Sequence, residues 1–224
     1  ADNANGIAQG LVASVTMGVG QFCTNPGLVF MVNDDNAAGF LNTLSEGFKN
    51  AMPGTMLSAN ICANYYSGVD KLKSTAAVTA LAHSNTAADA AKTEALPYVF
   101  TVTQKDFIAN KQLSHEVFGP ATLVVLCNNV DEIGDILKDM EGQLTATVHA
   151  TGADEKQIQP VIDLMKEKAG RVIFGGFPTG VEVCDAMVHG GPFPSTTDGR
   201  STSVGTAAIL RFVRPVAYQN FPAH

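Results

Sequence analysis

The sequence predicts an α/β fold of three layers, in which a mostly parallel β-sheet is covered by helices on both faces. Short runs of consecutive apolar residues alternate along the chain with stretches whose apolar residues recur every three or four positions. The first pattern is typical of strands buried on both faces, and the second of helices with one buried face. Apolar residues make up 46% of the 224 residues and charged residues 16%, so the chain can bury a sizeable core.

The first half predicts three helices and one strand. The first helix runs to Met17 and ends at a pair of glycines; its apolar stripe is Ala4, Ile7, Leu11 and Val15. The run LVFMV (residues 28–32) predicts a buried strand. The next helix, capped by Asp34 or Asp35, has an apolar stripe formed by Phe40, Leu44, Phe48 and Met52. Residues 58–74 predict a third helix that resumes through residues 75–83.

The second half repeats the alternation. Strands are predicted at YVFTV (residues 98–102), ATLVVLC (121–127), LTATVHA (144–150) and RVIF (171–174). Helices are predicted at residues 131–140 and 159–170, the second with Pro160 near its first turn and Gly170 as its stop. The glycine-rich residues 175–205 lack periodicity, which in a compact domain often marks a functional segment. A last strand is expected in residues 206–221.

Charge and composition exclude several classes of function. The formal net charge of −7 argues against a nucleic-acid partner or an anionic membrane surface. No apolar stretch is long enough to span a bilayer, and the first ten residues do not resemble a secretory signal. No repeat, charge block or linker divides the sequence. A single domain over residues 1–224, located in the cytoplasm, is therefore expected.

The four cysteines are unevenly spaced and form no CxxC pair: Cys23, Cys62, Cys127 and Cys184. This spacing favours reduced thiols over disulfides or a zinc ribbon. The five histidines lack HxxxH and HExxH spacing, so no metal site is expected. Each cysteine is then either a core residue or a reactive group. Cys62 lies on an apolar helical face, and Cys127 and Cys184 are interpreted as structural.

Cys23 has the most unusual setting, within GVGQFCTNPGLVF (residues 18–30). It follows two glycines, which let backbone N–H groups approach closely, and it precedes an Asn-Pro-Gly turn. A cysteine attacks as its thiolate, so a nucleophile here needs a base or an electropositive setting. His115, beside Glu116, and His189, in the glycine-rich segment, are candidates, although either could be a surface residue. From the pattern alone, buried filler remains the commoner outcome.

Four segments together resemble the aldehyde dehydrogenase superfamily. They are GQFCTNPG (residues 20–27), EVFGP (116–120), AGRVIFGGFPTG (169–180) and GGPFPSTTDGRSTSVG (190–205). The second matches the family's E-x-F-G-P element closely, and the resemblance covers nearly the whole chain. The residues around Cys23 and in the two glycine-containing segments most resemble those of the branch that oxidises 2-oxoglutarate semialdehyde (2,5-dioxopentanoate).

The resemblance implies a covalent mechanism. The Cys23 thiolate would add to an aldehyde to give a thiohemiacetal, and hydride transfer to the nicotinamide would give a thioester that water hydrolyses. The resemblance places Glu116 on the nicotinamide ribose hydroxyls and Phe118 near the nicotinamide ring. It also implies that side chains of the aldehyde pocket come from Phe22, Thr24 and Phe177. Arg200, Ser195 and Thr196 are candidates for holding an anionic substrate tail, with surface or turn roles equally open.

The resemblance also shows what this sequence lacks. Family members are considerably longer, and their N-terminal half carries the dinucleotide-binding domain, an oxyanion-binding asparagine and a glutamate base, none of which is matched here. The chain therefore resembles an isolated catalytic domain. NAD or NADP is expected in the full-length enzyme and none bound to this chain; the expected partners are a small aldehyde and further copies of the chain, without nucleic acid or membrane.

Two other functions remain open. The chain could be an inert packing or oligomerisation module. It could also be a free-standing cysteine hydrolase, which would need a histidine close to Cys23.

Overall fold

A central β-sheet with helices on both faces organises the structure, a computed structural model that describes residues 3–222. The strands are β1 (Leu28–Val32), β2 (Gly54–Thr55), β3 (Thr79–His83), β4 (Glu94–Ala95), β5 (Tyr98–Thr103), β6 (Ala121–Cys127), β7 (Gln143–Val148) and β8 (Ala169–Phe174). The α-helices are α1 (Ala4–Thr16), α2 (Ala37–Asn50), α3 (Ala59–Ser74), α4 (Gln104–Ala109), α5 (Val130–Asp139) and α6 (Glu155–Lys168). The predicted three-layer α/β class is confirmed.

The main sheet has the strand order β1-β6-β5-β3. Its β1, β6 and β5 run parallel to one another, and β3 is an antiparallel edge strand. Strands β7 and β8 form a separate parallel pair, while β2 and β4 form a short antiparallel pair. Most pairing in the described residues is therefore parallel, as predicted.

Side-chain alternation along the strands creates the two outer layers. Val124 of β6 faces one way and packs with Leu44 and Phe48 of α2, in a cluster that α1 also joins. The next residue, Val125, faces the other way into a cluster with Tyr65 of α3. Since neighbouring residues of a strand point to opposite faces, an apolar run such as ATLVVLC needs cover on both sides. No helix within residues 3–222 is long and apolar enough to cross a membrane.

Local polar groups set where several helices begin. The Ser58 hydroxyl accepts a hydrogen bond from the Ile61 amide at the start of α3, and the Asn129 side chain does the same for Glu132 at the start of α5. The predicted cap of α2 was wrong: Asn36 precedes that helix. The Asp34 carboxylate instead accepts a hydrogen bond from the Asn36 amide, in the turn that leads into α2.

Residues 79–83 form a strand, so the predicted continuation of the third helix was wrong. Their alanine-rich sequence has good helix propensity, but pairing with β5 supplies backbone hydrogen bonds along a whole sheet edge. Three smaller predictions also fail. Met52 was predicted to lie on the apolar stripe of α2, but the helix ends before it and its side chain is 67% exposed. Gly170 was predicted to end α6 but lies inside β8. Pro160 lies inside α6, beyond the first turn of that helix.

The C-terminal residues do not form the predicted strand. Thr206–Arg211 is a 3-10 helix, and residues 212–222 are irregular. In the described residues this segment pairs with no sheet edge, and Pro215 lacks the N–H that pairing requires. Its apolar side chains are exposed, Phe212 by 85%. A contact between copies through this segment stays a prediction. Residues 175–205 contain neither helix nor strand, as predicted.

Replacing Phe100 by alanine should destabilise the fold strongly, because this β5 side chain is 0% exposed between the sheet and α3. Loss of a fully buried phenylalanine costs about 3–5 kcal/mol of unfolding free energy. Urea denaturation followed by circular dichroism measures the change. Phe221→Ala is the control, since that ring is 67% exposed and should cost less than about 0.5 kcal/mol. Equal effects of the two substitutions would contradict the core assignment.

Candidate active site

Cys23 lies in the loop between α1 and β1, where it was predicted. The chain leaves α1 through a tight turn, Met17–Gly20, with positive φ angles at Gly18, Val19 and Gly20. A Cβ atom at Gly20 would collide with the backbone of Gly119. Only glycine allows this approach, which brings the cysteine segment against the EVFGP segment although the two are far apart in sequence.

The Cys23 thiol is exposed, and its Sγ lies 3.1 Å from Nε2 of His189. Next to it, the Asn25 side chain donates a hydrogen bond to the carbonyl of Gly119 at 3.0 Å, which fixes the loop below the thiol. A thiol in contact with an imidazole can pass its proton to that ring. Cys23 is therefore not a buried core residue.

The backbone of His189 is held by the end of the glycine-rich segment. Its amide donates to the Thr202 hydroxyl at 2.7 Å, and its carbonyl accepts hydrogen bonds from the amide and hydroxyl of Ser203, both at 3.0 Å. Burial, and then the positive charge of Arg171, lower the pKa of the His189 imidazole below its ordinary value of 6.5. The ring is thus neutral at pH 7 and able to accept a proton.

Arg171 of β8 connects the glycine-rich segment to the cysteine loop. Its guanidinium donates to the carbonyl of Pro178 at 2.6 Å and to that of Gly180 at 3.2 Å. The Thr24 hydroxyl donates to the same Pro178 oxygen at 2.9 Å. The hydroxyls of Ser14 and Thr179 add a contact of 2.7 Å between α1 and this segment.

A cleft of about 1240 Å³ opens beside the thiol and brings several predicted residues together. Its lining includes Cys23, Thr24, Glu116, Phe118 and Phe177. The Glu116 side chain is exposed, as is part of the Phe118 ring. The cleft therefore presents a carboxylate and an aromatic ring to the same space as the thiol.

The other predicted pocket residues differ in what they contact. The Phe22 ring packs close to Gly18 and does not line the cleft, while Phe177 packs on α1 and against the ring of His149, 4.9 Å between centroids. Ser195 lines the cleft, with its hydroxyl donating to the carbonyl of Pro192 at 2.6 Å. Arg200 is exposed and contacts Asp198 at 3.6 Å. Of the candidates for a substrate tail, Ser195 is the better placed.

The remaining cysteines are set apart from this site. Cys62 and Cys127 are buried, and burial raises the pKa of both thiols, that of Cys127 to about 12. Their interpretation as core residues is confirmed, while Cys184 is half-buried in the irregular segment.

Across residues 3–222, no cluster of three or more His, Cys, Asp or Glu side chains could hold a metal ion.

Sequence reasoning left one contributor to the site undecided and missed another. His189 was one of two candidate histidines, with no pattern to favour it, because its contact with Cys23 spans 166 positions. Arg171 was not considered at all. Its only signal was a cation placed in an otherwise apolar strand, where a buried charge needs partners.

Comparison with curated proteins finds relatives that include two bacterial dehydrogenases. The chain is 44% identical over 218 residues to alpha-ketoglutaric semialdehyde dehydrogenase 2 of Azospirillum brasilense, covering 96% of this chain and 41% of the relative. It is 43% identical over 221 residues to alpha-ketoglutaric semialdehyde dehydrogenase of Acinetobacter baylyi, covering 97% of this chain and 42% of the relative. The chain thus spans about two-fifths of the length of these relatives. No family model matches it.

Among solved structures, the fold is similar to that of delta-pyrroline-5-carboxylate dehydrogenase from Mycobacterium tuberculosis bound with NAD. The TM-score is 0.77 at 16% identity, over 98% of this chain and 42% of that chain. At this identity the likeness concerns the fold alone.

The stability of the chain should fall as the pH drops from 6.5 to 5. Burial lowers the folded-state pKa of His149 as well as that of His189. Both rings therefore bind protons more readily in the unfolded chain, whose histidines titrate near 6.5, so acid favours unfolding. Urea titrations at several pH values measure how steeply the free energy of unfolding changes with pH.

Two substitutions test the origin of that slope. His149→Phe should flatten it, since the ring packs against Phe177 and a phenylalanine there carries no proton. His115→Gln, at an exposed position, should leave it unchanged. A slope that is the same in all three proteins would show that the buried histidines do not set it.

Proposed function

We propose that this chain, which belongs to the aldehyde dehydrogenase family, is the thiol-bearing catalytic domain of a longer NAD(P)-dependent enzyme that oxidises an aldehyde to its acid. The observation that carries the proposal is the exposed Cys23 thiol, in contact with a neutral imidazole at the mouth of a large cleft. We propose 2-oxoglutarate semialdehyde as the substrate, since both curated relatives are named for it.

The reaction begins with the Cys23–His189 pair. His189 accepts the thiol proton on Nε2, and the thiolate sulfur bonds to the carbonyl carbon of the aldehyde. The oxygen of the resulting thiohemiacetal is negatively charged, and the Cys23 backbone N–H is one donor able to stabilise it. Hydrolysis of the thioester formed next needs an activated water molecule, and the family's glutamate base has no counterpart in this sequence.

Glu116 and Phe118 fit the nicotinamide end of a dinucleotide. An exposed carboxylate can accept two hydrogen bonds from a ribose diol, and a partly exposed ring can cover one face of the nicotinamide. Both side chains line the cleft that Cys23 borders. When bound there, the oxidised cofactor would supply the hydride acceptor that turns the thiohemiacetal into a thioester.

A second function, that of a cysteine hydrolase, is favoured by the 3.1 Å contact between Cys23 and His189. The two functions make different demands on this chain. A hydrolase would complete many turnovers by itself, because it would release its own acyl thioester. A dehydrogenase domain without the base for that step would be acylated once and stop.

An ester assay distinguishes them. With 4-nitrophenyl acetate, we expect one burst of nitrophenol per chain, followed by slow release at least about 100-fold below the burst rate, the contribution typical of a missing general base. Mass spectrometry should find a single acetyl group on Cys23. Cys23→Ala should abolish the burst, and Cys62→Ala is the matched control at a buried thiol. Sustained turnover without an accumulated acyl group would instead support the hydrolase.

The chain alone should give no NAD(P)-dependent oxidation of 2-oxoglutarate semialdehyde. Glu116 holds only one end of a dinucleotide, and the family's adenine and pyrophosphate sites are unmatched in this sequence. Absorbance at the reduced-nicotinamide band, measured with a large excess of either cofactor, tests this. Steady formation of NADH or NADPH that is lost in Cys23→Ala would contradict the assignment of this chain as one part of the catalytic unit.

A further inference from the structure

The His189 ring contacts Cys23 through one nitrogen, while its other nitrogen is buried without a partner. Nε2 lies 3.1 Å from the Cys23 sulfur. For Nε2 to accept the thiol proton, the hydrogen of the neutral ring must be on Nδ1. Within residues 3–222, Nδ1 of His189 is buried and has no hydrogen-bond partner. The base beside a cysteine or serine nucleophile is usually oriented by a third side chain at its second nitrogen. In the described part of this chain, no side chain does so.

Arg171 cannot orient the ring through that nitrogen. Its guanidinium carries only donors, so it cannot accept a hydrogen bond from the Nδ1–H. It already donates to the carbonyls of Pro178 and Gly180. The direction of the imidazole must therefore come from the backbone that carries it, because a fixed backbone leaves the side chain only a few staggered rotamers.

Thr202 and Ser203 hold both polar groups of the His189 backbone. The His189 amide donates to the Thr202 hydroxyl at 2.7 Å. The His189 carbonyl accepts hydrogen bonds from the amide and the hydroxyl of Ser203, both at 3.0 Å. These partners lie 13 and 14 positions along the chain, so the contact belongs to no helix or local turn. It joins two parts of the irregular segment at the residue that carries the imidazole.

The Thr202 hydroxyl is a buried group whose hydrogen-bonding capacity is fully used. Thr202 is 6% exposed. Besides accepting from the His189 amide, its hydroxyl donates to the Val204 carbonyl at 2.7 Å and accepts from the Val204 amide at 3.4 Å. A hydroxyl has one donor and two acceptor sites, and all three are occupied here. Buried polar groups that are fully satisfied specify one local geometry.

The chain beyond His189 is fixed from the other side by close approach of backbones. A Cβ atom at Gly170 of β8 would overlap the carbonyl of Gly190, and one at Gly142, just before β7, would overlap that of Pro192. The glycine-rich segment thus rests directly on two strands, which gives a reason for a glycine inside β8. With that side fixed by backbone packing, the hydrogen bonds to the His189 amide and carbonyl set the rest of its position.

We propose that Thr202 and Ser203 are positioning residues, which aim the His189 imidazole at the Cys23 sulfur by holding the backbone of His189. The inference rests on the proposed role of His189 as the proton acceptor of Cys23. Both residues act through His189, so their loss keeps the imidazole in the chain but lets it turn away from the sulfur. At neutral pH the reaction of the thiol then slows toward that of an unassisted cysteine.

Alkylation of Cys23 by iodoacetamide, read by peptide mapping over a range of pH, tests the proposal on this chain. Thr202→Val removes the hydroxyl and keeps the shape, so at pH 7 it should slow the reaction about fivefold, the factor of one net hydrogen bond. Thr202→Ser retains the hydroxyl and should recover the rate to within about twofold. All rates should converge above about pH 8.5, where the thiol ionises unaided.

Thr206→Val is the matched control for loss of a threonine hydroxyl. Thr206 lies in the same segment and is exposed, and its hydroxyl bonds to Asp185 instead of His189. This variant should react like the unmodified chain at every pH.

A combined variant separates positioning from a general loss of structure. In a His189→Gln background, Thr202→Val should have no further effect, because the group that it positions is gone. Ser203→Ala, at an exposed position, removes one of the two donors to the His189 carbonyl and should slow the reaction less than Thr202→Val does. Circular dichroism checks that each variant is folded. Within residues 3–222, positions 178–205 contribute no side chain to either apolar core cluster, so folding should be retained.

The outcomes distinguish this inference from the proposed function. If His189→Gln is slow but folded Thr202→Val reacts like the unmodified chain, the positioning role is overturned and the proposed function stands. Thr202→Ser as slow as Thr202→Val, or a further slowing by Thr202→Val in the His189→Gln background, also overturns the positioning role. If His189→Gln itself reacts like the unmodified chain, both the positioning role and the proposed role of His189 are wrong. Should Thr202→Val fail to fold, an unchanged rate in Ser203→Ala at pH 7 overturns the inference.

Discussion

The carbonyl oxygen of Pro178 holds the candidate site together. It accepts a hydrogen bond from Arg171 at 2.6 Å on one side and from the Thr24 hydroxyl at 2.9 Å on the other. The residue next to Thr24 is the candidate nucleophile, and the segment that begins at Pro178 leads to its imidazole partner. One charge-assisted hydrogen bond contributes about 1.5–3 kcal/mol, enough to hold an irregular segment in one position. Together with the contact between Ser14 and Thr179, this junction places the segment that carries His189 beside the loop that carries Cys23.

The same arginine also affects the chemistry. Burial, and then the positive charge of this arginine, lower the pKa of the His189 imidazole, which leaves the ring neutral at pH 7. A neutral imidazole can accept the thiol proton when an electrophile arrives. One side chain of β8, outside the cysteine motif, thus affects both the position of this segment and the pKa of His189.

Local patterns were enough to predict much of the fold. The run at Leu28–Val32 is a strand with the predicted bounds, because an apolar sequence between a glycine and a polar turn has few other outcomes. Cys23 was placed correctly because the glycines before it demand a bend. The strand at residues 79–83 was missed because its alanines carry no strand signal, and only pairing with β5 decides its state. The strand predicted for residues 206–221 was wrong for the opposite reason. The sequence there is strand-like, but among residues 3–222 it has no sheet edge to pair with.

The site could be predicted only as far as its motifs extend. Cys23, Glu116 and Phe118 each lie in a short recognisable segment, and the structure places them around one cleft. The contribution of His189 depends on a contact across 166 positions, which no local pattern encodes.

The pH dependence of Cys23 alkylation by iodoacetamide, read by peptide mapping, tests the central claim that His189 activates this thiol. At pH 7 the unmodified chain should react at Cys23 at least about tenfold faster than His189→Gln, and the two should converge above about pH 8.5, where free thiols ionise unaided. His115→Gln, which alters an exposed histidine bordering the same cleft, should react like the unmodified chain. Superimposable profiles for the unmodified chain and His189→Gln would contradict the claim.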